Sequence, residues 1–123
     1  PLVLVVEDNP VNQMVIKGYL KRLGCDVITA NNGKEALERV GERPVDLVFM
    51  DCQMPIMDGF EATRKMREMQ APICNLPIIA VTANAMEADR KMCLQSGMDG
   101  YLKKPVALDD IESELRAHVS SAA

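Results

Sequence analysis

The chain of 123 residues has no tryptophan, two tyrosines, two phenylalanines and one histidine. That histidine, His118, falls in the last helical stretch, where it reads as surface or packing rather than as a catalytic base. A basic excess is also missing: 14 Lys and Arg stand against 18 Asp and Glu, for a net charge of −4. Nucleic-acid binding needs a positive footprint to neutralise phosphates, so no nucleic-acid partner is expected. No apolar run approaches the ~20 residues of a membrane span, and nothing at Pro1 resembles a secretory leader, so no direct membrane contact is expected. The four cysteines, Cys25, Cys52, Cys74 and Cys93, lack the close spacing of zinc or redox motifs. They read as reduced, packed thiols of a cytoplasmic protein, and Cys52 is not read as a nucleophile although it follows Asp51 directly.

What is present is ordinary for a globular domain: 48% hydrophobic and 26% charged residues, in a length that suits one domain over 1–123. The chain opens directly in a strand-like run, which fits a segment excised from a longer multidomain protein. Short apolar runs at Leu2–Val6, Asp26–Ala30, Val45–Met50, Pro77–Val81 and Gly100–Leu102 read as buried strands. Helical patterns separate and follow them. Asn9-Pro10 is an N-cap followed by proline at the first helical position, opening a helix to about Leu23 that Gly24 ends. Val11, Val15 and Tyr19 are expected on a broad apolar face of it with Ile16, Leu20 and Leu23. Further helices are expected over 34–42, over 59–69 behind an Asp58/Glu61 capping box, and over 86–96, ended by Gly97. In the last helix Leu108, Ile111, Leu115 and Val119 form a core stripe, but Ala107 stands where a Ser or Thr cap is preferred. The nine methionines, mostly at helical positions, read as adaptable packing. Strands alternating with helices give a (βα)5 chain, and right-handed crossovers then require a parallel sheet covered on both faces.

In open α/β sheets, chemistry collects outside the carboxyl ends of the strands. Glu7-Asp8 closes the first strand, Asp51 the third, Thr82 the fourth and Lys104 the fifth. Each alone is ordinary: a solvated strand end, a turn cap, a loop hydroxyl, a surface lysine before proline. Four such residues at one sheet edge make a functional site the better reading. Carboxylates gathered there repel one another unless a cation joins them, which points to a hard divalent ion.

The segments Val6-Glu7-Asp8-Asn9, Met50 to Gly59, Val81 to Ala85 and Tyr101-Leu102-Lys103-Lys104-Pro105 resemble those of response-regulator receiver domains over essentially the whole chain. The wording of the second and third is most similar to receivers of hybrid sensor histidine kinases. The resemblance implies a flavodoxin-like three-layer α/β sandwich with strand order 2-1-3-4-5; the family's chemotaxis member is a standard example of that order. It also implies that Asp51 accepts the phosphoryl group and that Glu7 and Asp8, with the backbone carbonyl of Gln53, organise Mg2+. Thr82 then corresponds to the switch hydroxyl, Lys104 to the family's lysine before proline, and Tyr101 to the aromatic that changes rotamer on activation. Lys103 is only a neighbour, and the Lys104-Pro105 bond is expected to be cis. A receiver promotes its own phosphorylation and dephosphorylation. The implied partners are a histidine kinase domain and a histidine phosphotransfer domain, with the isolated chain a monomer and the parent protein expected to be membrane-anchored in the manner of hybrid kinases.

The charges suit that chemistry. Aspartate is a recognised phosphoryl acceptor, and the transferred group needs neutralisation and in-line positioning above all. Glu7, Asp8 and Asp51 bring three negative charges that Mg2+ and Lys104 balance. A haloacid-dehalogenase-like hydrolase would need a second aspartate two residues after Asp51, where Gln53 stands. A flavodoxin-like cofactor binder would need a phosphate-cradling loop where Glu7-Asp8-Asn9-Pro10 stands. A pseudo-receiver acting only as an interaction module would not need the full set of Glu7, Asp8, Asp51, Thr82 and Lys104. The alternative within the family is a stand-alone regulator whose phosphorylation switches a protein interaction or dimerisation.

Overall fold

Five short runs bounded by turns, four of them rich in β-branched and aliphatic residues, build a parallel sheet in a computed structural model of the chain. It describes residues 1–52, 54, 56–83 and 87–119, with 87–89 described by backbone alone. The strands are β1 (Leu2–Val6), β2 (Asp26–Ala30), β3 (Leu47–Asp51), β4 (Ile78–Thr82) and β5 (Gly100–Lys103). The helices are α1 (Pro10–Arg22), α2 (Gly33–Glu42), α3 (Gly59–Arg67), α4 (Glu87–Ser96) and α5 (Leu108–His118). All pairings are parallel, as the sequence pattern predicts, in the order β2-β1-β3-β4-β5 that the resemblance implies.

Alternate strand residues face opposite layers. Leu4, Val6, Val48, Met50, Ile78 and Ala80 pack under α2, α3 and α4, against Ala36, Val40, Ala62, Met66 and Cys93. Val3, Val5, Leu47, Phe49, Ile79 and Val81 pack under α1 and α5, against Ile16, Leu20 and Ile111. The two layers differ in chemistry. Six methionines (Met50, Met54, Met57, Met66, Met69 and Met98) and the thiols Cys52 and Cys93 belong to the first, whereas the second is built mainly from branched aliphatics. Packing is therefore the right reading for most methionines; Met14 and Met92 instead are exposed.

The caps follow the sequence. The Asn9 side chain accepts hydrogen bonds from the N–H groups of Val11 and Asn12, and Asp58 accepts from that of Glu61. Helix α5 has half a capping box: Asp110 accepts from the N–H of Ala107, and the alanine returns nothing. α1 and α4 are followed by glycines at positive φ, Gly24 (86°) and Gly97 (104°). The Lys104-Pro105 bond is cis, as expected, and so is Ala71-Pro72.

Two expectations need correction, on α1 and α3. Val11 and Val15 are exposed, at 67% and 41%, and only Ile16 and Leu20 of α1 are fully buried. From Val11 to Leu20 the apolar positions, Met14 included, span roughly 240° at 3.6 residues per turn, whereas an apolar stripe of about 100° suffices to face the core. The α5 stripe holds in graded form: Ile111 is fully buried, and Leu115 and Val119 are partly buried against the same layer. Helix α3 stops at Arg67, whose guanidinium donates to the carbonyls of Cys74, Leu76 and Gly97 and pairs with Asp99. Such an anchor draws the chain out of the helix into the turn Ile73–Asn75.

Candidate functional site

The parallel sheet brings the carboxyl ends of β1, β3, β4 and β5 to one edge. There Glu7, Asp8, Asn9, Asn12, Asp51, Thr82, Ala83 and Lys104 line a cleft of about 200 Å³. Every strand-end residue singled out in the sequence and described by the structure is in it, except Tyr101. The backbone carbonyl of Gln53, expected as a metal ligand, lies outside the described residues.

Local structure explains each placement. The Glu7 N–H extends the ladder to the Ala30 carbonyl at 3.0 Å, which turns the Glu7 side chain inward; it is 1% exposed. Asp8, one residue on, is exposed at the cleft mouth. Asp51 is the last residue of β3, paired in register with Val81 and 4% exposed. The start of α3 closes tightly on it, since a Cβ at Gly59 would collide with the Asp51 carbonyl oxygen. Only glycine permits that approach. The Lys104 N–H donates to the Thr82 carbonyl at 2.8 Å, bringing the end of β5 beside the end of β4.

One cation binds the buried acids together. Lys104 Nζ lies 3.0 Å from Glu7 Oε2 and 3.2 Å from Asp51 Oδ2. The contact of Glu7 Oε2 with the ammonium is a close ion pair. Glu7 Oε1 accepts from the Asn9 N–H at 3.2 Å. Burial by itself would lower the Lys104 pKa; the bond to Glu7 and the charges of Asp51 and Glu7 overcome that and raise it above its usual 10.5. The lysine is accordingly a fixed cation at neutral pH.

Ligand atoms of Glu7, Asp8 and Asp51 lie within 4.8 Å of one another, the one such acidic group found among the described residues. Carboxylate oxygens at that spacing, two of them on buried residues, suit a hard cation with oxygen ligands. Lys104 offsets one of the three negative charges, and the remaining excess favours a divalent ion.

Tyr101 stands apart, half-buried on β5 against the methionine-rich layer, with the Arg90 guanidinium 5.1 Å from its ring centre. Sequence reasoning overlooked Asn12 and Gln13. Asn12 lines the cleft from the first turn of α1, and the Gln13 amide donates to the carbonyls of Glu7 (3.1 Å) and Ala30 (3.4 Å). Their position three and four residues after the Asn9 cap, on the turn facing the strand ends, was the available signal.

Comparison with known proteins agrees with this geometry. The family described as response regulator receiver domain matches residues 3–116. The sensor histidine kinase RcsC of Escherichia coli is 41% identical over 114 residues, covering 93% of this chain and 12% of that protein. The chain thus spans about an eighth of the length of the curated relatives it matches. The receiver domain of a sensor histidine kinase from Pseudomonas aeruginosa, solved with a magnesium ion coordinated in its active-site cleft, superposes at a TM-score of 0.90. It is 42% identical, with 98% of each chain covered. The receiver domain of Ssk1 from Saccharomyces cerevisiae, solved with the histidine phosphotransfer protein Ypd1, gives a TM-score of 0.84 at 31% identity, covering 98% of this chain and 93% of that one.

Proposed function

The chain belongs to the response regulator receiver domain family, and on that premise we propose that it is a phosphorelay intermediate. It takes a phosphoryl group from a kinase phosphohistidine onto Asp51 and passes it to a phosphotransfer partner. The observation that carries this reading is the convergence of Glu7, Asp8, Asp51, Thr82 and Lys104 on one cleft.

In this reading a carboxylate oxygen of Asp51 forms the new bond to phosphorus as the partner's P–N bond breaks. Glu7, Asp8 and Asp51 hold Mg2+, which supplies positive charge to the phosphoryl oxygens when bound. Lys104, already within 3.2 Å of Asp51 Oδ2, neutralises charge on the other side. The added phosphoryl group brings roughly two further negative charges, and the Thr82 hydroxyl from the cleft wall donates to it. A bond made only in the phosphorylated state provides the differential stabilisation that a switch requires; Tyr101 and α4 are its readout.

Docking uses the start of α1 and the loop after Pro105. Val11, Met14 and Val15 are exposed apolar residues there, and a narrow groove between Val15 and Pro105-Val106 adjoins the cleft at Asn12 and Lys104. The yeast complex supports a phosphotransfer domain as occupant. The domain is proposed to be cytoplasmic and monomeric in isolation; no helix among the described residues is long and apolar enough to cross a membrane.

The test loads a candidate phosphotransfer protein with labelled phosphate and adds this domain with Mg2+. Label should move to Asp51, and Met14→Lys should slow that transfer while leaving phosphorylation by acetyl phosphate unchanged. Failure with every partner encoded near the parent gene, together with phosphorylation-dependent dimerisation, would favour a stand-alone output regulator.

A further inference from the structure

Beneath the cleft, the sulfurs of Cys52 and Cys93 lie 3.8 Å apart, in residues only 3% and 2% exposed. Cys52 follows the phosphoryl-accepting position directly. Its N–H donates to the Val81 carbonyl at 3.3 Å, and its carbonyl accepts from Gly59 at 3.1 Å. Cys93 sits in α4, where its carbonyl accepts from the Ser96 hydroxyl at 2.8 Å and the Met98 N–H at 3.0 Å. The two sulfurs therefore bridge the end of the strand carrying Asp51 and the helix that follows Thr82. Cys25 lies in the opposite layer and Cys74 in the loop before β4, so no other cysteine competes for this contact.

A disulfide needs sulfurs at about 2.05 Å, so these two must approach by roughly 1.8 Å. A modest shift of α4 against polarisable methionine neighbours supplies that movement without breaking the sheet. We propose that Cys52 and Cys93 form a reversible disulfide under peroxide stress and that this bond restrains phosphoryl acceptance at Asp51. The proposal rests on the reading of Asp51 as the acceptor. Hydrogen peroxide, a molecule small enough to enter through local opening, oxidises one thiol to a sulfenic acid and releases water. The second thiol attacks that sulfur, the S–S bond forms and a second water leaves; two thiols and one peroxide thus give one disulfide and two waters. A dithiol reductant reverses the step. The tie acts on the cleft because only residues 83–86 separate Thr82 from α4, and both Thr82 and Ala83 line the cleft wall. Drawing α4 toward Cys52 pulls that wall against the strand end and limits its adjustment to an incoming phosphoryl group.

The experiment uses a Cys25→Ser, Cys74→Ser background, which keeps the pair. The protein is treated with hydrogen peroxide and mapped by peptide mass spectrometry without reductant. Its phosphorylation by acetyl phosphate with Mg2+ is followed before oxidation, after it, and after dithiothreitol. The expected result is a Cys52–Cys93 linked peptide, a rate several-fold lower than in the reduced protein, and full recovery with dithiothreitol. Cys93→Ala and, separately, Cys52→Ser in the same background should show no slowing by peroxide. Absence of the linked peptide overturns the proposal, as does a linked protein that phosphorylates at the reduced rate. A reduced protein that takes no phosphate overturns the acceptor reading and the restraint together, while the peptide map still reports on the bond itself.

Discussion

Asp51 and Cys52 are neighbours in the chain that face two different environments. Asp51 looks into a polar cleft where three carboxylates and one lysine set the chemistry, whereas Cys52 looks into a soft layer of methionine and thiol side chains under α4. Alternation along a strand forces this divergence, and its consequence is that charge and packing meet across one peptide bond. Charge in the cleft is held by a few directed contacts, so a single substitution there is costly. The layer beneath is held by many weak contacts among adaptable side chains and tolerates small displacement. A receiver needs both, a fixed site and a wall that can move.

The largest effect should come from breaking the cleft's charge balance. Lys104→Met leaves the buried Glu7 carboxylate without its cation and should cost about 3 kcal/mol of stability, the lower end for a buried pair because the lysine side chain is 21% exposed. Urea unfolding with and without Mg2+ checks this, and Mg2+ should restore part of the loss. A variant as stable as the parent in metal-free buffer would show that Lys104 does not hold the acids together.

Next comes the layer. Met66→Ala removes a side chain that is 0% exposed and should cost about 2–3 kcal/mol. In contrast to Lys104→Met, this loss should be the same with and without Mg2+, since no metal ligand is touched. A Mg2+-dependent loss would mean that the two regions are not separable.

A third substitution probes their junction. Thr82→Ala should still accept phosphate but lose much of the response at Tyr101 and on α4, because in the proposed switch the bond from its hydroxyl to the phosphoryl group forms only after phosphorylation. Amide chemical shifts recorded before and after phosphorylation measure that response. Changes as large in the variant as in the parent protein would remove Thr82 from the switch.

The smallest effect is a matter of pH. The Lys104 pKa is higher folded than unfolded, so its stabilisation is complete below 10.5 and fades as pH rises through the higher folded value. The difference in unfolding midpoint between the parent protein and Lys104→Met should accordingly be flat around neutrality and shrink above pH 10.5. A difference that grows with alkalinity would reverse the assigned sign.

Much of this comparison was legible in the sequence, and the limits have physical causes. Strands buried on both faces read as continuous apolar runs, so their order of appearance and the polar residue ending each could be seen directly. The acids and the lysine followed, because strand ends in a parallel sheet share an edge. Helix faces were harder. Val11, Met14 and Val15 satisfy the helical period as well as Ile16 and Leu20 do, and which of them the sheet covers depends on the helix's tilt, which no local pattern encodes. The Lys104 pairing with both Glu7 and Asp51, and the Cys52–Cys93 contact across 41 residues, are products of tertiary packing. Arg67, as an anchor of three carbonyls, ends α3 two residues early for the same reason.

Phosphoryl transfer to this domain turns on Asp51 as the residue that forms the bond to phosphorus. Incubation with acetyl phosphate and Mg2+, followed by intact mass and base-lability of the adduct, tests it most directly. The parent protein should gain one base-labile phosphoryl group and Asp51→Asn none, because an amide oxygen is a poor nucleophile. A base-labile phosphoryl group retained on Asp51→Asn would contradict it.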